Sequence, residues 1–198
     1  MVFINNRQSN KRQQPSNVSN FMNINRNPAY NTNNQNTITP PPASNVPKMK
    51  WGGPTWLYLH TMAEKVKDTS FAQISKEMLG TVYNICTNLP CPSCSAHARE
   101  YLKKHHLSNV RSKEELKKFL FLFHNEVNTR KRYALFSYSD LDTTYASGNY
   151  KPIANNFMIH FREKTRNIHL ISDEMHRQRV IKNIKQWIFD NIEHFEYE

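Results

Sequence analysis

The sequence predicts an all-α fold: a four-helix bundle with a short fifth helix, a helical C-terminal extension and a disordered N-terminal tail. Three observations predict it. From Trp56 onward apolar residues recur at spacings of three and four, the period of a helix face. Strand signals are weak, since the chain has only 4 glycines in 198 residues and no β-branched run alternates over a useful length. Residues 1–47 are dense in Asn, Gln, Ser, Thr and Pro and show neither period. Such a segment cannot bury enough apolar surface to offset its ordering entropy.

The tail also carries much of the charge. Of the formal net charge of +11, residues 1–50 contribute six basic and no acidic side chains. A basic tail attracts phosphate-bearing partners weakly and without sequence preference, so nucleic-acid contact is a minor expectation. No apolar run approaches the roughly 20 residues of a spanning helix. The N-terminus lacks a secretory apolar core, and the expected location is cytoplasmic.

The composition shifts at Met49–Trp51, which places the domain boundaries at 1–47, 48–150 and 151–198. Pro54 suits a first helical turn, and Trp56, Leu59, His60, Ala63 and Val66 then share a face. The second helix carries Phe71, Ile74, Met78, Val82, Ile85 and Leu89. The third begins at the cysteines and carries Cys94, Ala98, Tyr101 and Leu102. Ser112 and Glu115 form a capping box for a fourth, with Leu116, Phe119, Leu120, Phe123 and Val127. A short fifth starts near Ser139 and includes Leu141 and Tyr145. In the extension, Ser172, Asp173 and Glu174 mark a helix start. Ile181, Ile184, Ile188, Ile192 and Phe195 follow as a stripe that packs on the domain or binds a partner.

The three cysteines, Cys86, Cys91 and Cys94, fall within nine residues. An odd, small number argues against a disulfide-stapled secreted scaffold. The motif Leu89-Pro90-Cys91-Pro92-Ser93-Cys94 sets two cysteines three apart at a helix start, where they can close a ring. The free N–H groups of a first turn stabilise a thiolate. Three chemistries use such a pair. Thioredoxin-like exchange requires a strand before the motif, and here a helical stripe leads in. Zinc could draw on Cys86, Cys91, Cys94 and His97, giving a nucleic-acid-binding module, but Cys86 lies on the apolar stripe of the second helix. Flavin-linked thiol oxidation finds support elsewhere: Trp56 and His60 are i, i+4, as are His124 and Asn128, with Lys131 a turn further. Those are stacking, hydrogen-bonding and phosphate-pairing groups on core helices, the mixture a dinucleotide needs. A cofactor-free helical interaction protein is the remaining rival.

The segment from Trp51-Gly52-Gly53-Pro54-Thr55-Trp56 to His60-Thr61 resembles the opening signature of the Erv/ALR FAD-linked sulfhydryl oxidases. Cys91-Pro92-Ser93-Cys94 through His97 to Tyr101 resembles their redox motif in the form found in large DNA viruses. His124-Asn125-Glu126-Val127-Asn128 is similar to their HNxVN motif. The three fall in the family's order over about a hundred residues. The resemblance implies a helical bundle holding FAD, usually as a homodimer, with O2 as electron acceptor and H2O2 as product. It implies Cys91 as the interchange cysteine and Cys94 as the one beside the flavin. By matching positions, it implies cofactor contacts from Gly52, Trp56, His60, Cys94, His97, His124, Val127 and Asn128. No resident metal is expected. The action would lie in a host cytoplasm or a virion. Two departures stand out. Tyr133 occupies the place of the family's basic residue, with Lys131 and Arg132 beside it, and no second cysteine pair relays electrons from bulky substrates. A thioredoxin-like or other small dithiol protein is therefore the expected donor.

Overall fold

The computed structural model describes residues 49–163 and 171–196, leaving aside the side chains of residues 171 and 172. The tail expected at 1–47 lies outside the described residues. Among the described residues seven α-helices run in order: α1 (Gly52–Lys65), α2 (Asp68–Thr87), α3 (Pro92–Lys104), α4 (Lys113–Lys131), α5 (Leu141–Ala146), α6 (Tyr150–Phe161) and α7 (Ile171–Asp190). Single 3-10 turns lie at Leu107–Asn109, Tyr138–Asp140 and Ile192–His194. No strand is present among the described residues; the only β-type pairing there is an isolated antiparallel bridge between Val66 and Phe195.

Local sequence accounts for the helix starts. Cys91 caps α3 through its own sulfur, which accepts the Cys94 N–H at 3.2 Å, and Pro92 occupies the next position without wasting a donor. Ser112 caps α4 by accepting the Glu115 N–H at 3.1 Å. The Glu115 carboxylate returns to the Arg111 N–H at 2.6 Å, one residue before the cap, so the predicted box closes one position wider than the standard form.

Helix α1 is central among the described helices. Tyr58, Leu59, Thr61, Met62 and Ala63 are all within 1% of complete burial and His60 is 3% exposed, so burial runs right round the helix, unlike the single stripe of a surface helix. One side packs on α4 and α5, another on α6. Against α6 the Tyr58 ring stacks on Phe157, with centroids 4.5 Å apart, and its hydroxyl lies 3.2 Å from that of Tyr150. Phe195 then stacks on Tyr150 at 4.1 Å. The C-terminal segment is pinned by main-chain bonds, Lys67 N–H to the His194 carbonyl and Glu196 N–H to the Lys65 carbonyl.

The boundary expected at residue 150 coincides with the first turn of α6, whose residues the sequence pattern merged into the extension. Tyr150, Phe157 and Phe161 are fully buried in the same core as α1. The stripe on α7 turns inward as well: Ile181, Ile184, Ile188 and Phe195 are buried and Ile192 packs partly against them. Of the two placements open to that stripe, the described structure has the one on the domain.

Candidate active site

A cavity of about 900 Å³ opens between the start of α1, the end of α2, the first turns of α3 and the second half of α4. Its size falls within the range of small-molecule and cofactor sites, about 300–1,000 Å³. The cysteines form part of one wall. Cys91 and Cys94 are joined in a disulfide with Cα atoms 5.2 Å apart, and both border the cavity. Their position follows from the α3 start, because the N-cap and third residue of a helix are separated by a single turn.

Aromatic rings make the adjoining wall. Trp56 lies nearly parallel to His124, with centroids 4.1 Å apart and planes at 10°. Phe123 meets Trp56 edge-on at 5.3 Å and itself stacks on Tyr101. Behind His124 lies His60, whose Nε2 is 3.1 Å from His124 Nδ1. The far face of His60 rests on Tyr145 of α5, centroids 4.6 Å apart. A continuous stack thus runs from Trp56 through the histidine pair to Tyr145. Burial lowers the pKa of His60 to about 3, with His124 contributing, and burial lowers that of His124 to about 4. Both imidazoles are neutral at physiological pH.

The other end of the cavity is cationic. Arg130, Lys131 and Arg132, at the end of α4, border it, and among the described residues no Asp or Glu lines the cavity. Burial, with Arg130 beside it, holds the Lys131 ammonium below its ordinary pKa, a condition that an anion in the cavity would relieve. A methyl group at Gly52 or Gly53 would meet no atom within 4 Å, so both backbones border open space. This donor set fits a long, partly flat anion: rings against Trp56 and His124, phosphates against the end of α4. FAD has that form.

Of the residues singled out from the sequence, Gly52, Trp56, Cys91, Cys94, His97, His124, Val127, Asn128 and Lys131 border the cavity. His60 does not. It is 3% exposed and stands one ring behind the wall. His97 borders the cavity while its Nε2 pairs with Glu126 at 2.9 Å, tying α3 to α4. The grouping of Cys86, Cys91, Cys94 and His97 around zinc finds no support. Cys91 and Cys94 are bonded to each other, and His97 is paired with Glu126. Cys86 is a buried free thiol whose pKa burial raises to about 12. Among the described residues no three His, Cys, Asp or Glu side chains could together hold a metal ion.

Sequence reasoning missed two supports. In sequence Asn125 is only a motif letter, yet its side chain donates to the Phe136 carbonyl at 2.8 Å and accepts the Phe136 N–H at 2.9 Å. That pairing folds the chain after α4 back along the cavity. Tyr145 falls in sequence on the short fifth helix, and its part in the histidine stack depends on tertiary packing.

Residues 54–146 match the sequence profile of the Erv1/Alr family. A protein of African swine fever virus named FAD-linked sulfhydryl oxidase is 32% identical over 97 residues, covering 49% of this chain and 81% of that relative. The chain belongs to the Erv1/Alr family. A second African swine fever virus isolate supplies a relative of the same name, 30% identical over 53% of this chain and 87% of its own length. An Arabidopsis thaliana FAD-linked sulfhydryl oxidase is 30% identical over 42% of this chain and 43% of its own. No solved structure gave a significant match. The matched segment runs from the first turn of α1 to the end of α5 and takes in the cavity wall from Thr55 to Ala134, with Met49, Trp51, Gly52 and Gly53 just ahead of it; α6 and α7 lie beyond it. Among the described residues no helix is long and apolar enough to cross a membrane.

Proposed function

We propose that this chain is an FAD-dependent thiol oxidase that makes disulfides in substrate dithiols through the pair Cys91 and Cys94. The observation that carries the reading is one cavity bounded by a disulfide, a ring stack and a cationic end. The names of the viral relatives support it. FAD, when bound, accepts the pair's two electrons and passes them to O2, which leaves as H2O2.

The chain's own residues account for the thiol chemistry. A substrate thiolate attacks the Cys91 sulfur, the Cys91–Cys94 bond breaks, and Cys94 leaves as a thiolate facing the cavity. The second substrate thiol attacks the substrate sulfur of the mixed disulfide, and Cys91 leaves. Its departing charge falls at the α3 N-terminus, where the Cys94 N–H already points at the Cys91 sulfur at 3.2 Å, so the thiolate is stabilised there. The balance is one substrate disulfide formed and two electrons with two protons left on Cys91 and Cys94. Gly52, Trp56, His124, Val127 and Asn128 would hold the cofactor, with His60 bracing His124 and with Lys131 and its arginine neighbours on the phosphates. His97 would keep α3 in place through Glu126. A homodimer and a small dithiol protein as donor belong to the same proposal. They rest on the family resemblance.

The test is the absorbance of the purified protein and its oxygen consumption with a small dithiol. Bound flavin with turnover is expected, and Cys91→Ser should keep the flavin and stop the turnover. A colourless protein, or full turnover by Cys91→Ser, would overturn the reading.

A further inference from the structure

Between the end of α2 and the redox disulfide runs a short link, and the three carbonyls that open it, from Thr87 to Leu89, are each met by a side chain. Ser95 donates to the Leu89 carbonyl at 3.2 Å, and Arg99 donates to the Thr87 carbonyl at 3.4 Å. The Asn88 carbonyl, between them, accepts from the guanidinium of Arg177. A helix leaves its last carbonyls without internal partners, and here three in succession are satisfied by side chains. Ser95 and Arg99 belong to α3, the helix that Cys91 caps, so their bonds close the link onto the body that carries the disulfide. Arg177 comes from α7.

The other arm of the same guanidinium donates to the Phe161 carbonyl at the end of α6, and its carbon lies 5.1 Å over the Phe161 ring. Arg177 is only 7% exposed. Burying a guanidinium is costly unless its donors find acceptors, and its planar fork suits two carbonyls on different elements in a way an ammonium does not. Arg177 thus joins three elements: α7, the end of α6, and the link that enters the redox motif. It lies beyond the residues that match the family, 54–146.

We propose that Arg177 is a positioning residue for the redox disulfide, holding the 87–91 link against α6 and α7 so that Cys91 and Cys94 keep a fixed place on the cavity wall. This rests on the thiol-oxidase reading and assigns the C-terminal helices a part in it. Electron transfer from the cysteine pair depends on alignment, and a misplacement of about 1 Å can cost a hundredfold. Loosening the link should therefore slow that transfer and leave cofactor binding alone, because Arg177 does not border the cavity.

The experiment compares wild type with Arg177→Met and Arg177→Lys in three measurements: bound FAD, anaerobic flavin reduction by a dithiol, and flavin reoxidation by O2. Arg177→Met should reduce about ten- to a hundredfold more slowly, with FAD content and reoxidation within about twofold, and Arg177→Lys should recover part of the rate. Amide exchange at residues 88, 89 and 91 should rise in the same order. Unchanged reduction in a folded Arg177→Met would overturn the proposal, and so would an equal decline in all three measurements, which marks general loosening. If Arg177→Met does not fold, Arg177→Lys decides by the same criteria. A flavin-free wild type would remove the oxidase reading, and the exchange rates alone would then decide whether Arg177 holds the link.

Discussion

His60 Nε2 lies 3.1 Å from His124 Nδ1, enclosed between the rings of Trp56 and Tyr145. Two imidazoles at that distance share one proton, one ring donating and the other accepting, so the accepting ring is neutral, and burial keeps the donor neutral as well. A proton added to one would lack solvation, and a second proton on the other would be repelled by the first.

That relationship makes stability depend on pH. Histidines in the unfolded chain titrate near 6.5, and in the folded chain burial lowers these two to about 3 and about 4. The unfolded state binds more protons throughout the interval. The contribution of the neutral pair is therefore complete above about pH 6.5 and is lost as pH falls towards the folded values. For His60 alone, the loss between pH 7 and 5 is at most about 2 kcal/mol. Thermal melts of the flavin-free protein at pH 5, 6 and 7 should fall steeply. His60→Gln keeps an N–H for His124 and removes one titration, so its slope should be about half. Equal slopes in the two proteins would refute the assignment.

At the other end of the cavity, Arg132 occupies a left-handed conformation, φ 57°, as the residue that ends α4. A side chain there costs about 1–2 kcal/mol that glycine does not incur. Arg132→Gly should therefore stabilise the flavin-free protein, or leave it unchanged, while weakening FAD about tenfold through loss of a partly screened phosphate contact. Lys131→Ala should weaken FAD by a similar factor without stabilising the fold. Fluorescence of released flavin, followed in rising salt, measures both, and salt should weaken wild-type binding more than that of either variant. A variant whose affinity and salt response equal those of wild type would remove that residue from the phosphate end.

The parts of the molecule that were legible in the sequence are those set by short-range pattern. The α3 start, the Ser112 cap, the pairing of Trp56 with His60 and of His124 with Asn128, and the short α5 are all encoded within a turn or two. What pattern could not give is how one helix sees another. His60 shares a face with Trp56, and that spacing made it a wall residue. The crossing of α1 with α4 instead inserts His124 in front of it. Helix α6 has helical apolar spacing at Tyr150, Ala154, Phe157, Met158 and Phe161, yet it merged into the extension. Only packing against Tyr58 shows that it completes the core. Arg177 reads in sequence as one basic residue among many, since its two acceptors lie 16 and 89 residues away.

Lys117 is equally unremarkable in sequence, and its position predicts a coupling between stability and the site. Its ammonium lies 2.8 Å from Glu64, 2.7 Å from Asp142 and 3.4 Å from Glu114, with its side chain 7% exposed. Burial alone would lower its pKa; the bonds to Asp142 and Glu64 reverse this and leave it raised. The three helices joined there are those that carry the stack: Glu64 is one turn past His60 on α1, Lys117 two turns before His124 on α4, and Asp142 one turn before Tyr145 on α5. Lys117→Met leaves Glu64 uncompensated at 17% side-chain exposure. Removing one partner of a buried pair costs about 3–5 kcal/mol; since Glu114 and Asp142 are well exposed, the lower figure applies. That corresponds to a fall in melting temperature of roughly 6–12 °C for a chain of this size. Glu64→Gln in the same chain should restore a good part of it, because the stranded charge is then gone. Flavin affinity should weaken in Lys117→Met although Lys117 does not border the cavity, since α5 loses its tie and Tyr145 its hold on His60. A melting temperature within about 2 °C of wild type would show that the cluster is solvated and does not organise the site.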